Sequence, residues 1–141
     1  MIINRTFSIL KPDVVRRNLT GKVNALIEEN GFVIIAQKMV KISLIEAKGF
    51  YIVHKDRPFF AELTEYLSSY PIVIQVLKKD NAVVDFRKLI GATDPVNADK
   101  GTIRYLYGIS VGENSVHGSD SIENADIEIQ YFFNDNEICD R

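Results

Sequence analysis

Cysteine is nearly absent: Cys139 is the only one in 141 residues. No disulfide can close within the chain, which excludes a small secreted scaffold held by cross-links. Long apolar runs are missing too. The longest strongly apolar stretches fall far short of the roughly 20 residues that cross a bilayer. Met1-Ile2-Ile3-Asn4-Arg5 reaches charge before the apolar region of a leader could form. A cytoplasmic location with no membrane partner is the expectation. Neither sign of charge dominates. A formal net charge of −2 supplies no general field for nucleic acid, so none is expected as a partner, and any cationic site must be local. There is no repeat, linker or low-complexity segment. What is present, 46% hydrophobic, 10% aromatic and 26% charged, is the balance of a globular chain, not a disordered one. One compact domain spanning 1–141 is expected, burying about two-thirds of its unfolded surface.

Ile2 to Leu10 alternates imperfectly, Phe7 and Ile9 against Thr6 and Ser8, and reads as a first strand ended by Lys11-Pro12-Asp13. Thr20 then caps a helix striped by Val23, Leu26 and Ile27 and stopped at Gly31. Phe32 to Ile42 is a second strand. Ser43 and Glu46 form a capping box for a helix carrying Ala47, Phe50 and Tyr51, and after Arg57-Pro58 a second helix runs from Phe59 to Tyr70. Pro71 to Lys78 is apolar enough for a central strand. Ala82, Val83, Phe86, Leu89 and Ile90 make a helical stripe closed by Gly91. Between Ala92 and Ser110 periodicity fails, and a loop of that length in a compact domain is usually functional. A very short strand at Val116-His117, a helix from Ser121 to Phe133 and a polar tail complete the chain.

This order is βαββαβ with a helical-hairpin insertion. It predicts a ferredoxin-like α/β (α+β) sandwich, a four-stranded, mainly antiparallel sheet with helices packed on it. The competing doubly wound parallel sheet usually has a Gly-rich loop after the first strand, where this chain has Lys11-Pro12-Asp13.

Nucleotide-binding signatures of the common kinds are absent. There is no G-x-x-x-x-G-K-[ST] and no G-x-G-x-x-G, so a nucleoside phosphate would have to be held by side-chain cations, without an amide nest. The stretch with chemistry in it is Asn114-Ser115-Val116-His117-Gly118-Ser119-Asp120-Ser121. An imidazole offers an unprotonated nitrogen near neutrality and can attack phosphorus without a strong base. Gly118 lets a bulky phosphoryl group approach the backbone. Ser119, Asp120 and Ser121 supply caps for the helix that follows, whose N-terminus favours an anion. The octapeptide alone leaves a solvated loop histidine open as the other reading.

That octapeptide, Leu10-Lys11-Pro12-Asp13, Lys55-Asp56-Arg57-Pro58-Phe59-Phe60 and Gly101-Thr102-Ile103-Arg104 together resemble the nucleoside diphosphate kinase family, in its order and spacing over nearly the whole chain. The resemblance implies a ferredoxin-like subunit and a Mg²⁺-dependent ping-pong transfer of the γ-phosphate through a phosphohistidine. The nucleotide pool would be broad: ATP, GTP and other nucleoside or deoxynucleoside diphosphates and triphosphates. Mg²⁺ would be held mainly by the nucleotide phosphates, with no protein side chain assigned to it.

By the same resemblance, His117 is the nucleophile and Glu128 holds its other ring nitrogen. Lys11, Arg87, Thr93 and Arg104 contact phosphates, with Lys11 also near the sugar. Asn114 bonds the ribose, Ser119 supports the histidine region and Tyr51 lies beside the transferred phosphate. Phe59 stacks on the base, with Leu63 and Val111 lining its slot and Gly118 at the phosphate. Phe60 is expected in the core and His54 on the surface. Tyr105-Leu106-Tyr107 stands where the family commonly has Gly-Asp-Phe, which bears on the local loop path and on subunit contacts. A homo-oligomer follows, hexamer favoured over tetramer. A catalytically weak nucleotide-binding regulator, a nucleic-acid-binding module and a phosphorelay carrier are the alternative functions.

Overall fold

The computed structural model describes residues 3–141, and the expected start of the first strand at Ile2 lies outside them. Four strands form one sheet in the order β2-β3-β1-β4: β1 is Ile3–Leu10, β2 Val33–Val40, β3 Ile72–Asp80 and β4 Val116–Gly118. Every neighbouring pair is antiparallel, as in a ferredoxin-like βαββαβ sheet, which sets aside the doubly wound alternative. β2 carries a register shift between Ile34 and Ala36, a bulge that bends this edge strand.

Helices cover both faces. One face buries Phe7, Ile9, Ile72, Ile74 and Val76 against Ile129 of α7 (Ile122–Phe132), Phe133 just after that helix, and Leu67 of α4 (Phe60–Ser68). The other buries Leu10, Val73 and Leu77 against Val23 and Ile27 of α2 (Thr20–Glu29) and Phe86 and Ile90 of α5 (Ala82–Ile90). β3 therefore reads as an almost continuous apolar run from Ile72 to Leu77, because both of its faces are covered there. Gln75 interrupts that run without penalty. Its oxygen accepts from Ser8 Oγ at 2.8 Å and its nitrogen donates to Asn24 Oδ1 and Gln37 Oε1 at 2.6 Å, so the buried amide is satisfied.

The insertion is a helical pair, α3 (Leu44–Phe50) and α4, joined through a turn at Ile52–His54. Ser43 and Glu46 form the reciprocal cap expected of them, each side chain accepting from the other's backbone N–H at 3.0 Å. Tyr131 donates to Glu46 O at 2.8 Å, and its ring sits where a Cβ on Gly49 would lie. The hairpin is thereby latched to α7.

Three expectations need correction. Thr20 is the first residue of α2 and not its cap, since Leu19 occupies that position with no side-chain bond. Lys11-Pro12-Asp13 is more than a strand end: Pro12–Arg16 is a short helix, α1, with proline at its permitted first position. The segment 92–110 holds a turn at Pro95–Asn97 and a five-residue helix, α6 (Ile103–Tyr107), capped by Thr102. Elements this short never complete enough turns for a 3.6-residue period to show. The polar tail also has structure. Cys139 N–H donates to Ile35 O at 2.7 Å, so the tail runs beside part of the exposed edge of β2. No described helix is long and apolar enough to cross a membrane.

Candidate active site

His117 is carried by β4, whose pairing with β1 sets Ile9 opposite it. Phe7 and Phe50 pack their rings against the imidazole at centroid distances of 6.2 and 5.4 Å, edge-on. With one apolar side thus filled, the ring can present only its nitrogens. Nε2 lies 2.9 Å from Glu128 Oε1. The same carboxylate oxygen accepts from Ser119 Oγ at 2.7 Å, and Ser119 Oγ accepts from Phe7 N–H at 3.3 Å. A carboxylate can only accept, so Nε2 carries the proton and donates it to Glu128 in a hydrogen bond, which leaves the lone pair on Nδ1, facing the Tyr51 hydroxyl at 3.5 Å. Ser121, the cap of α7, accepts from Asn124 N–H at 3.0 Å and starts the helix that delivers Glu128 seven residues later.

Just before the histidine the backbone is strained. Ser115 has φ of +77°, a left-handed conformation costly for a residue with a side chain, on the order of 1–3 kcal/mol. Its carbonyl accepts from Lys11 N–H at 2.9 Å, which ties the end of β1 to the start of β4. Gly118 has a packing reason to be small beside the one read from the sequence. A Cβ there would lie 2.5 Å from Ile90 Cδ1 and 2.9 Å from Phe86 Cδ2, so the position is small because α5 packs onto it.

The cations sit on the same floor. Lys11 is 6% exposed and its Nζ donates to Asn114 Oδ1 at 2.8 Å, while Asn114 Nδ2 donates to Thr93 O at 3.0 Å. Burial, and secondarily the Arg104 charge, pull the Lys11 ammonium down to about 8. Arg104 extends from α6 and donates to Gly91 O at 3.1 Å, Val116 O at 2.9 Å and Asn114 O at 3.3 Å. Burial first and Arg87 second lower it to about 10, so it stays charged at neutral pH. Tyr51 is buried and its phenol is pushed well above the ordinary range, by burial first and by the Glu128 charge second. It remains a donor.

These groups line one cleft of about 1310 Å³. Lys11, Tyr51, Phe59, Leu63, Arg87, Thr93, Arg104, Val111, Asn114, His117, Gly118 and Glu128 all contribute to its walls. Ser119 alone among the sequence-derived site residues is not on the wall; it lies behind, fully buried, holding Glu128. At the outer end Phe59 is 47% and Val111 56% exposed, while Phe60 packs partly buried on the core as expected.

His54 was expected on the surface and is only partly so. It is half-buried on the cleft wall, its ring 6.0 Å from Phe59 and 6.3 Å from Tyr51. The signal was its spacing, three residues past Tyr51, which returns it to the same side of a helical turn. Glu62, Tyr66, Glu113 and Asp120 also reach the wall without having been singled out. Among the described residues no three His, Cys, Asp or Glu side chains gather as a metal-binding group.

A cleft with a carboxylate-oriented histidine, a buried lysine beside a half-buried arginine and an exposed aromatic is chemistry for a phosphorylated aromatic ligand, and known proteins agree. The family model described as nucleoside diphosphate kinase matches residues 4–138. The protein of that name from Phenylobacterium zucineum (strain HLK1) is 61% identical over 134 residues, 95% of this chain and 96% of that one. A Cereibacter sphaeroides protein of the same name is 57% identical over 138 residues, 98% of this chain and 99% of that one. Among solved structures, the Aquifex aeolicus nucleoside diphosphate kinase superposes with a TM-score of 0.95 at 40% identity, covering 97% of this chain and 99% of that one. A halophilic nucleoside diphosphate kinase from Halobacterium salinarum, in complex with CDP, gives 0.94 at 37% identity, covering 99% and 93%. Fold, cleft and sequence converge, and the chain belongs to the nucleoside diphosphate kinase family, a nucleotide-binding phosphotransferase.

Proposed function

We propose that the chain works as a single nucleoside diphosphate kinase domain, moving a γ-phosphoryl group from ATP or another triphosphate to a nucleoside diphosphate by way of His117. The observation that carries this reading is the bonded series His117–Glu128–Ser119 beside Lys11 and Arg104. In the first half-reaction the Nδ1 lone pair attacks the γ-phosphorus, and the bond from that phosphorus to the bridging oxygen breaks. The diphosphate leaves with the electron pair. The ring becomes cationic, and Glu128, bonded to Nε2–H, offsets that charge. In the second half-reaction a terminal oxygen of an incoming diphosphate attacks the phosphohistidine, and the lone pair returns to Nδ1.

Charge on the transferring group is spread over its equatorial oxygens, so positioned cations do most of the work. Lys11, Arg87 and Arg104 supply them and Thr93 adds a hydroxyl. Arg104 spends three N–H groups on backbone carbonyls, which leaves two for phosphate and fixes the guanidinium plane in advance. Asn114 serves the ribose, and Tyr51 the transferred group. Phe59, with Leu63 and Val111, stacks on the base through a π-face common to all bases, which supports broad specificity.

The residues present suit a Mg²⁺ ion that would arrive on the nucleotide phosphates and would offset their charge, with carboxylates on the cleft wall to share it. Asp120, on the wall three residues after His117, is the side chain placed to share it. The cytoplasm, where nucleoside triphosphates are made and used, is the proposed workplace. A homo-oligomer, hexamer before tetramer, completes the reading; exposed Val96, Tyr105, Leu106 and Ile109 favour subunit contacts along that segment, and light scattering reads the count.

Incubation with ATP, Mg²⁺ and a different nucleoside diphosphate tests the whole scheme. New triphosphate and an acid-labile phosphoenzyme should form, and both should vanish in His117→Gln, a loss of at least ~10⁴-fold in rate. Full transfer by that variant would refute the nucleophile.

A further inference from the structure

Helix α1 reaches both walls of the outer cleft. On one side the buried Asp13 carboxylate accepts from the Tyr66 hydroxyl at 2.6 Å, and the Tyr66 oxygen accepts from Asp13 N–H at 2.9 Å. Tyr66 stands on α4 three residues after Leu63, so its bond to Asp13 positions the helix that carries Leu63 and, at its N-cap, Phe59. On the other side Arg16 Nη2 donates to Glu113 Oε1 at 3.0 Å. Arg17 donates to Asp13 O at 2.8 Å, to Asp13 Oδ2 at 3.3 Å and to the carbonyl of Tyr107. Tyr107 and Glu113 flank a closed turn in which Ile109 and Ser110 N–H donate to Glu113 O at 2.8 and 3.3 Å, with Val111 at its tip.

We infer that α1 is a positioning bracket: Asp13 and Tyr66 on one arm, Arg16 and Arg17 on the other, hold the Phe59–Leu63 wall and the Val111 wall at a set gap and so tune the grip on the base. The inference rests on the reading of those three apolar residues as the base slot. The phosphate chemistry stays with side chains outside the bracket: His117 and Glu128 stand on β4 and α7, and Lys11, although it is the N-cap residue of α1, has its Nζ held by Asn114. A buried carboxylate bonded this closely to a tyrosine is a stiff joint. The Arg16–Glu113 arm is exposed and correspondingly weaker.

The test compares two phosphoryl acceptors, ADP and the base-free ribose 5-diphosphate, with ATP as donor. In Tyr66→Phe the KM for ADP should rise about three- to tenfold while kcat and the KM for ribose 5-diphosphate hold. In Arg16→Gln the same base-dependent rise should be about twofold. Equal change with both acceptors, or none with either, overturns the bracket, since a merely structural role lowers activity on both acceptors alike. Arg16→Gln, at an exposed pair, decides the matter by itself should Tyr66→Phe fail to fold. Phe59→Ala separates the two ideas: if it raises the KM for ADP only and Tyr66→Phe does not, the bracket alone falls. If Phe59→Ala does not distinguish the acceptors, the base slot falls and takes the bracket with it.

Discussion

Around His117, Nε2, Glu128 and Ser119 are linked at 2.9 and 2.7 Å over a floor of buried side chains, whereas Phe59 and Val111 stand about half exposed with no polar partner. The two ends of the same cleft answer different demands. Charge develops at the phosphorus in the transition state and is stabilised only by groups that need not reorganise, so that end is anchored to β1, β4 and α7. A base offers area and no charge. Adaptable apolar walls suit such a ligand and would discriminate little between one base and another. The anchored end is also where the chain tolerates strain, at Ser115, because the flanking bonds over-determine its backbone.

The sharpest way to break this contrast is Glu128→Gln, which removes the charge that fixes the imidazole while keeping its shape. Transfer should slow by about 10²-fold with nucleotide KM little altered, read by single-turnover phosphoenzyme formation. An unchanged rate would mean that the histidine needs no orienting partner. Arg104→Ala comes next, at about tenfold or more in kcat/KM, together with lowered stability because the carbonyls of Gly91, Asn114 and Val116 lose a donor. Arg87→Ala, on an exposed position of α5, should cost a similar factor in rate with no loss of stability. If both variants melt alike, the strut role of Arg104 is wrong. At the base end Phe59→Ala should raise KM about tenfold or less and leave kcat near wild type, for purine and pyrimidine nucleotides alike.

The mildest effect concerns pH. The folded Lys11 loses its proton near 8, while the unfolded chain keeps it to the ordinary 10.5. Between those values the unfolded state binds the extra proton, so Lys11 makes stability rise with pH while the free enzyme loses a cation from the cleft floor. kcat/KM should therefore fall severalfold between pH about 8 and about 9, and Lys11→Arg should move that fall to higher pH. A profile identical in the variant would place the titration elsewhere.

Much of this was legible in one dimension because periodic burial leaves a periodic trace. β3 as a central strand, the Ser43–Glu46 cap and the α5 stripe closed by Gly91 each follow from side chains whose partners lie within a few residues or on a covering layer. His117 stood out as a candidate in its Gly/Ser/Asp setting, with a solvated loop residue open as the other reading, and Glu128 entered through family resemblance, since a glutamate on a helix face gives no local sign of its use.

What the amino-acid order settled by itself is the four strands, the longer helices and a candidate nucleophile, because hydrophobic period, caps and an imidazole beside small residues are properties of neighbours in the chain. What tertiary structure decided is who meets whom. The β1–β4 register set His117 against Ile9, the reach of α7 put Glu128 on Nε2 and freed Nδ1, and α5 claimed the space above Gly118. The short helix α1 came to touch both walls of the cleft. Those meetings join residues far apart in sequence, where only the packed layers fix the distances at which a proton or a phosphoryl group can be handed over.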